Sequence, residues 1–337
     1  MRIEIIGAES LGVRALCTLV TTPSRRILID PGLALGYRRH GLLPHPLQIA
    51  VGQAIRRRII SALSDATDLV ISHFHGDHIP LADANPYQLA IRHLPPRRQD
   101  LRCWIKSNDD PSAEMRRRRA DLLTWFGECL VAADGQSDGP LTFSLAVPHG
   151  TPEGGLGTVM MTRIESGAHC FVHASDIQLL DDAAVDMIID WRPTVVLAAG
   201  PPLYLGRLGG AVIERARRNA MRLIDEVRCV ILDHHLMRDA SGARWLDDLS
   251  DATGRRVYCA ADFMGRPRRL LEAERRQLYL DIPVPIGWHE GYAAGQESIQ
   301  AYFAHLHVRP EENLGPETDE VRKRVRGCVH GTRQESG

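Results

Sequence analysis

Three imidazoles and a carboxylate fall within six residues of this chain, at His73-Phe74-His75-Gly76-Asp77-His78. They follow directly on a short apolar run, residues 68–72, that reads as a strand. Alternate side chains of an extended segment project the same way, so His73 and His75 converge on one point. For Asp77 and His78 to reach a second point, the chain must turn at Gly76, where no Cβ opposes the turn. Imidazole nitrogens with a few carboxylate oxygens suit Zn2+, and Fe or Mn accept the same donors.

Further candidate ligands stand at other strand ends. His149 follows a strand read over 141–147, and Asp176 follows one over 169–173. Asp233-His234-His235 ends a strand over 228–233. An isolated Asp that bridges two cations offsets part of their repulsion, which gives Asp176 a role. Successive strand residues face opposite ways, so one of His234 and His235 is expected to enter the site and the other to leave it, with His234 preferred. Asp30 ends the strand over 26–30, and His173 lies three residues before Asp176. Both are placed to hydrogen-bond a ligand histidine. The remaining histidines, such as His45, His169 and His289, are read as surface or satisfied core residues.

The first thirty residues read as strands, over 2–6, 13–20 and 26–30. Leu47, Val51, Ile55, Ile59 and Leu63 fall four apart and predict a helix over 47–63. A strand over 101–106 and a helix over 111–130 are expected next, then a hairpin of 156–165 with 169–173. After residue 178 the pattern alternates: helix 178–190, strand 194–199, helix 211–226, strand 228–233, and a helix near 268–279. This mixture indicates an α/β protein with helices covering sheets on their outer faces. The proline-rich block at 281–287 reads as a linker, so the expected division is a catalytic domain over 1–280 and an extension over 281–337 with a helix at 293–305.

Composition narrows the function. With 337 residues, 44% of them apolar, the chain can bury a core without covalent staples. A net charge of −1 supplies no global attraction to nucleic acid or an anionic membrane. Arg116–Arg119 cover every face of a helix and alternate with no aromatic residue, so they form no base-stacking stripe. The first seven residues carry Glu4 inside their apolar run and read as a strand, not a signal peptide. Seven cysteines with no CxxC, mostly within apolar runs, indicate free thiols in a reducing cytoplasm.

The order HxHxDH, strand-end His, isolated Asp, final His resembles the ligand order of the metallo-β-lactamase superfamily. Within it, the chain looks most like a largely archaeal, uncharacterised family of predicted metal-dependent hydrolases. The likeness rests on Ala8-Glu9-Ser10-Leu11-Gly12-Val13-Arg14, Leu28-Ile29-Asp30-Pro31-Gly32, Val147-Pro148-His149-Gly150, His173-Ala174-Ser175-Asp176-Ile177-Gln178, Gly200-Pro201-Pro202-Leu203-Tyr204 and Ile231-Leu232-Asp233-His234-His235. It covers about residues 1–275.

The resemblance implies an αββα sandwich: two mixed sheets packed face to face, helices outside, here with a C-terminal extension. It implies two divalent ions, Zn2+ first, with His73, His75 and His149 on one, and Asp77, His78 and His234 or His235 on the other. Asp176 would bridge them. Two such ions make hydroxide available for attack on a carbonyl or phosphoryl centre of a small molecule. Asp77 would then orient the nucleophile and shuttle its proton. The first turn faces the metals in this superfamily, so Glu9, Ser10 and Arg14 become candidate substrate contacts, as does Tyr204 on its proline-stiffened loop. The competing readings are a phosphodiesterase or nuclease, an iron-dependent redox or rearrangement enzyme, and a non-catalytic metal-binding partner. The extension is the candidate lid or homo-oligomer contact.

Overall fold

Alternation decides which way the first strands face. In the computed structural model, which describes residues 1–107, 112–151, 154–155, 157–206 and 208–305, β1 (Arg2–Ala8), β2 (Leu16–Thr21) and β3 (Arg26–Ile29) form an antiparallel meander. β4 (Asp68–Ile71), β5 (Arg102–Ile105) and β6 (Leu130–Ala132) extend it in parallel, giving a mixed six-stranded sheet. Leu16, Val20, Ile27, Ile29 and Val70 face the second sheet, whereas Cys17, Leu19, Leu28, Leu69 and Ile71 face outward. The outward face is covered by α1 (Pro46–Asp65) and α2 (Ala113–Phe126). Leu47, Val51, Ile55, Ile59 and Leu63 of α1 are all buried there. Burial of each side chain of this size contributes about 1.5–3 kcal/mol. The His45 Nδ1 caps α1 by accepting the Leu47 N–H.

The second sheet is built from β7 (Ser137–Asp138), β8 (Leu141–Phe143), β11 (Thr162–Ser166), β12 (His169–His173), β13 (Val195–Ala198) and β14 (Cys229–Leu232). Its spatial order is β14-β13-β12-β11-β8-β7. β12, β13 and β14 run parallel and the remaining pairs antiparallel. β9 (Val147–Pro148) and β10 (Thr158–Val159) form a separate two-stranded ladder. Phe143, Ile164 and Phe171 of this sheet share one apolar cluster with the inward residues of the first. α3 (Asp182–Asp190), α4 (Gly210–Glu226) and α5 (Ala240–Thr253) add buried side chains to it, among them Val185, Leu223 and Leu249. The αββα sandwich with two mixed sheets is therefore present.

Several elements differ from the sequence expectation. The strand read over 141–147 is two strands, because Ser144 and the exposed Leu145 leave the β8 ladder. Ser144 Oγ accepts the Met161 N–H at 2.8 Å instead. The helix read over 178–190 begins only at Asp182, capped by the Asp181 carboxylate, because Leu179 takes a left-handed φ of 63°. α5 and the short α6 (Ala260–Phe263) were not anticipated. α7 (Arg275–Asp281) is shorter than the helix read near 268–279. In the extension, α8 (Trp288–Ala293) precedes the expected helix, and Gly295 at φ 74° breaks the chain before a 3-10 segment at Gln300–His305. Trp288, Ile299 and Tyr302 are buried in the cluster under α1, and His45 Nε2 meets the Ile282 carbonyl at 2.9 Å. The polar tail beyond Val308 lies outside the described residues. No described helix is long and apolar enough to cross a membrane. The six described cysteines are free.

Candidate metal centre

Three strands end in residues with left-handed backbone: Asp30 after β3 (φ 49°), Ser175 after β12 (φ 49°) and His234 after β14 (φ 39°). The conformation costs a non-glycine residue about 1 kcal/mol or more. Hydrogen bonds hold each one there. Asp30 Oδ1 accepts the Ser72 N–H (2.8 Å), and Oδ2 accepts Ser72 Oγ–H (2.7 Å), Ser175 Oγ–H (2.9 Å) and His78 Nδ1–H (3.0 Å). Burial would raise the Asp30 carboxyl, but the His78 hydrogen bond and the nearby imidazoles hold it far below its ordinary value. His234 donates its backbone N–H to Asp233 Oδ1 (2.7 Å) and its Nδ1–H to the Ala15 carbonyl (3.1 Å).

The structure brings together eight side chains read as candidate ligands. Single donor atoms of His73, His75, His149 and Asp176 lie within 4.8 Å of one another. So do those of Asp77, His78 and His234, and those of Asp176, His234 and His235. Asp176 is the seam. Its Oδ2 lies 2.6 Å from His149 Nε2, 3.2 Å from His235 Nε2, 3.5 Å from His73 Nε2 and 3.8 Å from His75 Nδ1. Its Oδ1 lies 3.0 Å from His78 Nε2 and 3.3 Å from His234 Nε2. This buried oxygen makes no hydrogen bond. The expectation that one of His234 and His235 turns away is corrected: both rings reach Asp176. β14 stops at Leu232, and the left-handed turn at His234 breaks the strand alternation on which that expectation rested.

The donor set fits cations. His78 and His234 each give their Nδ1–H to an oxygen, and their Nε2 atoms face each other at 3.3 Å. Asp176 and Asp30 raise His78 against the effect of burial, so its Nε2 holds a proton that an ion would displace. His73 Nε2 and His75 Nδ1 approach to 3.0 Å. Convergent lone pairs around a carboxylate with an unsatisfied buried oxygen suit a divalent ion. Electrostatics agree. Burial lowers His73 to about 3, and it lowers His149 and His235 too, so these imidazoles stay neutral. Burial opposes charge on Asp176 and Asp77 as well. The surrounding imidazoles, with Arg238 beside Asp77, outweigh it and hold both carboxyls well below their ordinary value.

The other singled-out residues separate. His173 gives its Nε2–H to the Leu16 carbonyl (2.9 Å), tying β12 to β2. Ser10 is buried: its N–H donates to Asp233 Oδ1 and its Oγ accepts the Ala261 N–H. Arg14 pairs through two nitrogens with Glu272. Tyr204 reaches the site, with its hydroxyl 3.5 Å from His235 Nδ1 and 3.4 Å from Arg238 Nη1. Glu9 is fully buried and meets Arg238 Nε at 3.3 Å. Burial, reinforced by Glu272, pushes its carboxyl up to about 8 despite Arg238 and Arg14. Gly76 keeps an ordinary φ. Gly32 is the tight glycine, because a Cβ there would come within 2.2 Å of the His78–Ile79 backbone.

Sequence reasoning missed two contributors. Gln178 reaches His149 Nδ1 at 3.1 Å from the segment read as helix. Arg238, on the turn Leu236–Arg238 after β14, donates from Nη2 to Asp77 Oδ2 (3.0 Å) and His234 Nε2 (2.7 Å). The available signal was slight: an arginine four residues beyond His234, after Leu236-Met237.

A sandwich of two mixed sheets with this ligand order along their shared edge is the architecture of metallo-β-lactamase-fold proteins, and this chain is one of them. No family model matches it. Among solved structures it is similar to the metallo-β-lactamase fold protein YhfI from Bacillus subtilis, at 15% identity and a TM-score of 0.46, over 76% of this chain and 95% of that one. The chain belongs to the UPF0282 family. It is 46% identical over 303 residues to the UPF0282 protein of Methanosarcina mazei, spanning 90% of this chain and all of that one. It is 35% identical over 320 residues to that of Thermococcus gammatolerans, spanning 85% and 100%.

Proposed function

We propose that this protein is a binuclear metal-dependent hydrolase acting on a small-molecule carbonyl or phosphoryl substrate. The carrying observation is Asp176, whose two oxygens face two separate sets of imidazoles. His73, His75 and His149 would hold one ion, Asp77, His78 and His234 the other, and Asp176 both. Two Zn2+ ions there would supply Lewis acidity and hydroxide at neutral pH, and Fe or Mn would suit the same donors. His234 is favoured over His235 as the ligand because its Nε2 faces His78 and Asp176 Oδ1. Asp77 is ionised, 17% exposed and braced at Oδ2 by Arg238, and its carboxylate would accept and pass on a proton. Asp30 keeps His78 in the tautomer that presents Nε2. The buried free thiols support the cytoplasmic reading.

Metal analysis of protein purified without added zinc, combined with an esterase, lactonase and phosphodiesterase screen, tests the proposal. Two ions per chain and one hydrolytic activity are expected, both absent from the His75→Ala, Asp176→Ala double variant. Retention of both ions by that variant would refute the metal assignment. Stoichiometric iron without hydrolysis would shift the reading to redox or rearrangement chemistry.

A further inference from the structure

Arg238 is 5% exposed, and its guanidinium is wedged between the candidate ligands and the first turn. Four groups surround it: Asp77 Oδ2, His234 Nε2, Glu9 Oε2 and the Tyr204 hydroxyl. The shortest of these contacts, 2.7 Å from Nη2 to His234 Nε2, uses the lone pair that the second ion would take. His234 has no other nitrogen to offer, because its Nδ1–H is spent on the Ala15 carbonyl. Metal loading therefore removes the acceptor of a buried guanidinium N–H at the edge of the site. A buried donor left unpaired is unfavourable unless another acceptor takes the place of His234.

Charge points the same way. The ligand set holds only two carboxylates, Asp77 and Asp176; the rest are imidazoles. Two divalent ions leave that set with excess positive charge, and Arg238 adds to it. Arg39 adds more: its guanidinium stacks over the Tyr204 ring at 5.2 Å and donates to the Arg238 carbonyl. A separate observation points to a polar ligand. Glu9 Oε1, on the carboxyl that meets Arg238 Nε, is buried and has no hydrogen-bond partner, and burial pushes that carboxyl up to about 8, so at neutral pH it holds a proton that it can donate to an oxyanion. Arginine offers planar paired N–H donors that match the oxygens of carboxylate and phosphate.

We infer that Arg238, assisted by the Tyr204 hydroxyl, binds an oxyanion of the substrate, so that the preferred substrates carry a phosphate or carboxylate beside the bond that is cleaved. The inference rests on the metal-centre reading above. It makes Arg238 a specificity-determining residue, released for that task when His234 turns its lone pair to the ion.

The test is anion binding, read separately from turnover. Full-length zinc-loaded protein is titrated calorimetrically with inorganic phosphate and, in a second arm, with acetate. Metal content is measured on every sample. Arg238→Gln should weaken binding of the preferred anion at least about tenfold, and Arg238→Lys less, because charge survives without the paired donors. Tyr204→Phe deletes one hydroxyl from a partly exposed loop and should weaken it about threefold with the fold intact. Tighter phosphate than acetate identifies a phosphate-bearing substrate, and the reverse a carboxylate. Should Arg238→Gln not fold, the Lys and Phe variants carry the test. If the variants hold their metal and bind both anions within twofold of wild type, the oxyanion role is overturned while the metal centre stands. If wild type takes up no metal, both fall together.

Discussion

β4 delivers four candidate ligands from six consecutive residues, whereas the opposite side of the site needs three separate strand ends. His149 follows β9, Asp176 lies just past β12, and His234 with His235 follows β14. The first set is organised locally, with Asp30 accepting from Ser72 and His78 at the two ends of one loop. Parallel pairing of β12, β13 and β14 brings Asp176, His234 and His235 to one edge, and His149 arrives from the separate β9–β10 ladder. A local set fails when its brace is removed. A dispersed set fails at the residue the others share. Asp176 is that residue, and it also joins the two sets.

The largest effect is therefore expected at Asp176. Asp176→Ala should strip both ions, lowering metal content at least about tenfold. His75→Ala spares Asp77, His78 and His234 and should lose only one. Equal losses in the two variants, measured by elemental analysis, would erase the distinction between seam and single ligand.

Acid should come next, in metal-free protein. His73, His149, His234 and His235 have folded values below 6.5, so between there and the folded values the unfolded chain takes up protons that the folded chain refuses. Stability then falls as pH drops below about 6.5, by about 1.4 kcal/mol per pH unit for each proton of difference. His78, raised by Asp176 and Asp30 against the effect of burial, adds no slope in that acid window, because its contribution is fully present below about 6.5 and is lost only as pH rises through its raised value. Asp30, Asp77 and Asp176, all lowered, add a second loss below about pH 4. Urea midpoints that stay flat from pH 7 to 4 would contradict the neutral imidazole cluster.

Asp30→Ala leaves the Ser72 amide, two hydroxyls and His78 Nδ1–H without their acceptor. A loss of about 3 kcal/mol or more is expected in urea unfolding, and under about 1 kcal/mol would show that the loop holds itself. The smallest effect belongs to His173→Ala. Losing the Leu16 bond and some packing should cost about 2 kcal/mol with metal content unchanged. Metal loss there would place His173 in the site itself.

The local set was legible because its signal is local. Six residues after an apolar run state both donor type and spacing. His149 and Asp176 were legible because each stands shortly after a strand-like run, although the run before His149 folds as two strands. The pairing of His234 with His235 was not, since strand alternation assigns them opposite faces and only the left-handed backbone at His234 overrides it. Ser10 and Arg14 were chosen by position on the first turn, and the structure commits them to Ala261 and Glu272. Arg238 carries no motif. It lies on a short turn, and its importance comes from neighbours remote in sequence, Glu9, Asp77 and Tyr204.

By itself, then, the chain's order of residues determined the fold class, the donor chemistry and the strands that bear it, because periodicity and ligand type are properties of short segments. The tertiary structure alone decided which oxygen of Asp176 faces which imidazoles, that both His234 and His235 reach it, and that a buried guanidinium stands among them. Those facts depend on where separate strand ends stop relative to one another, and that is set by sheet pairing and packing across the whole sandwich.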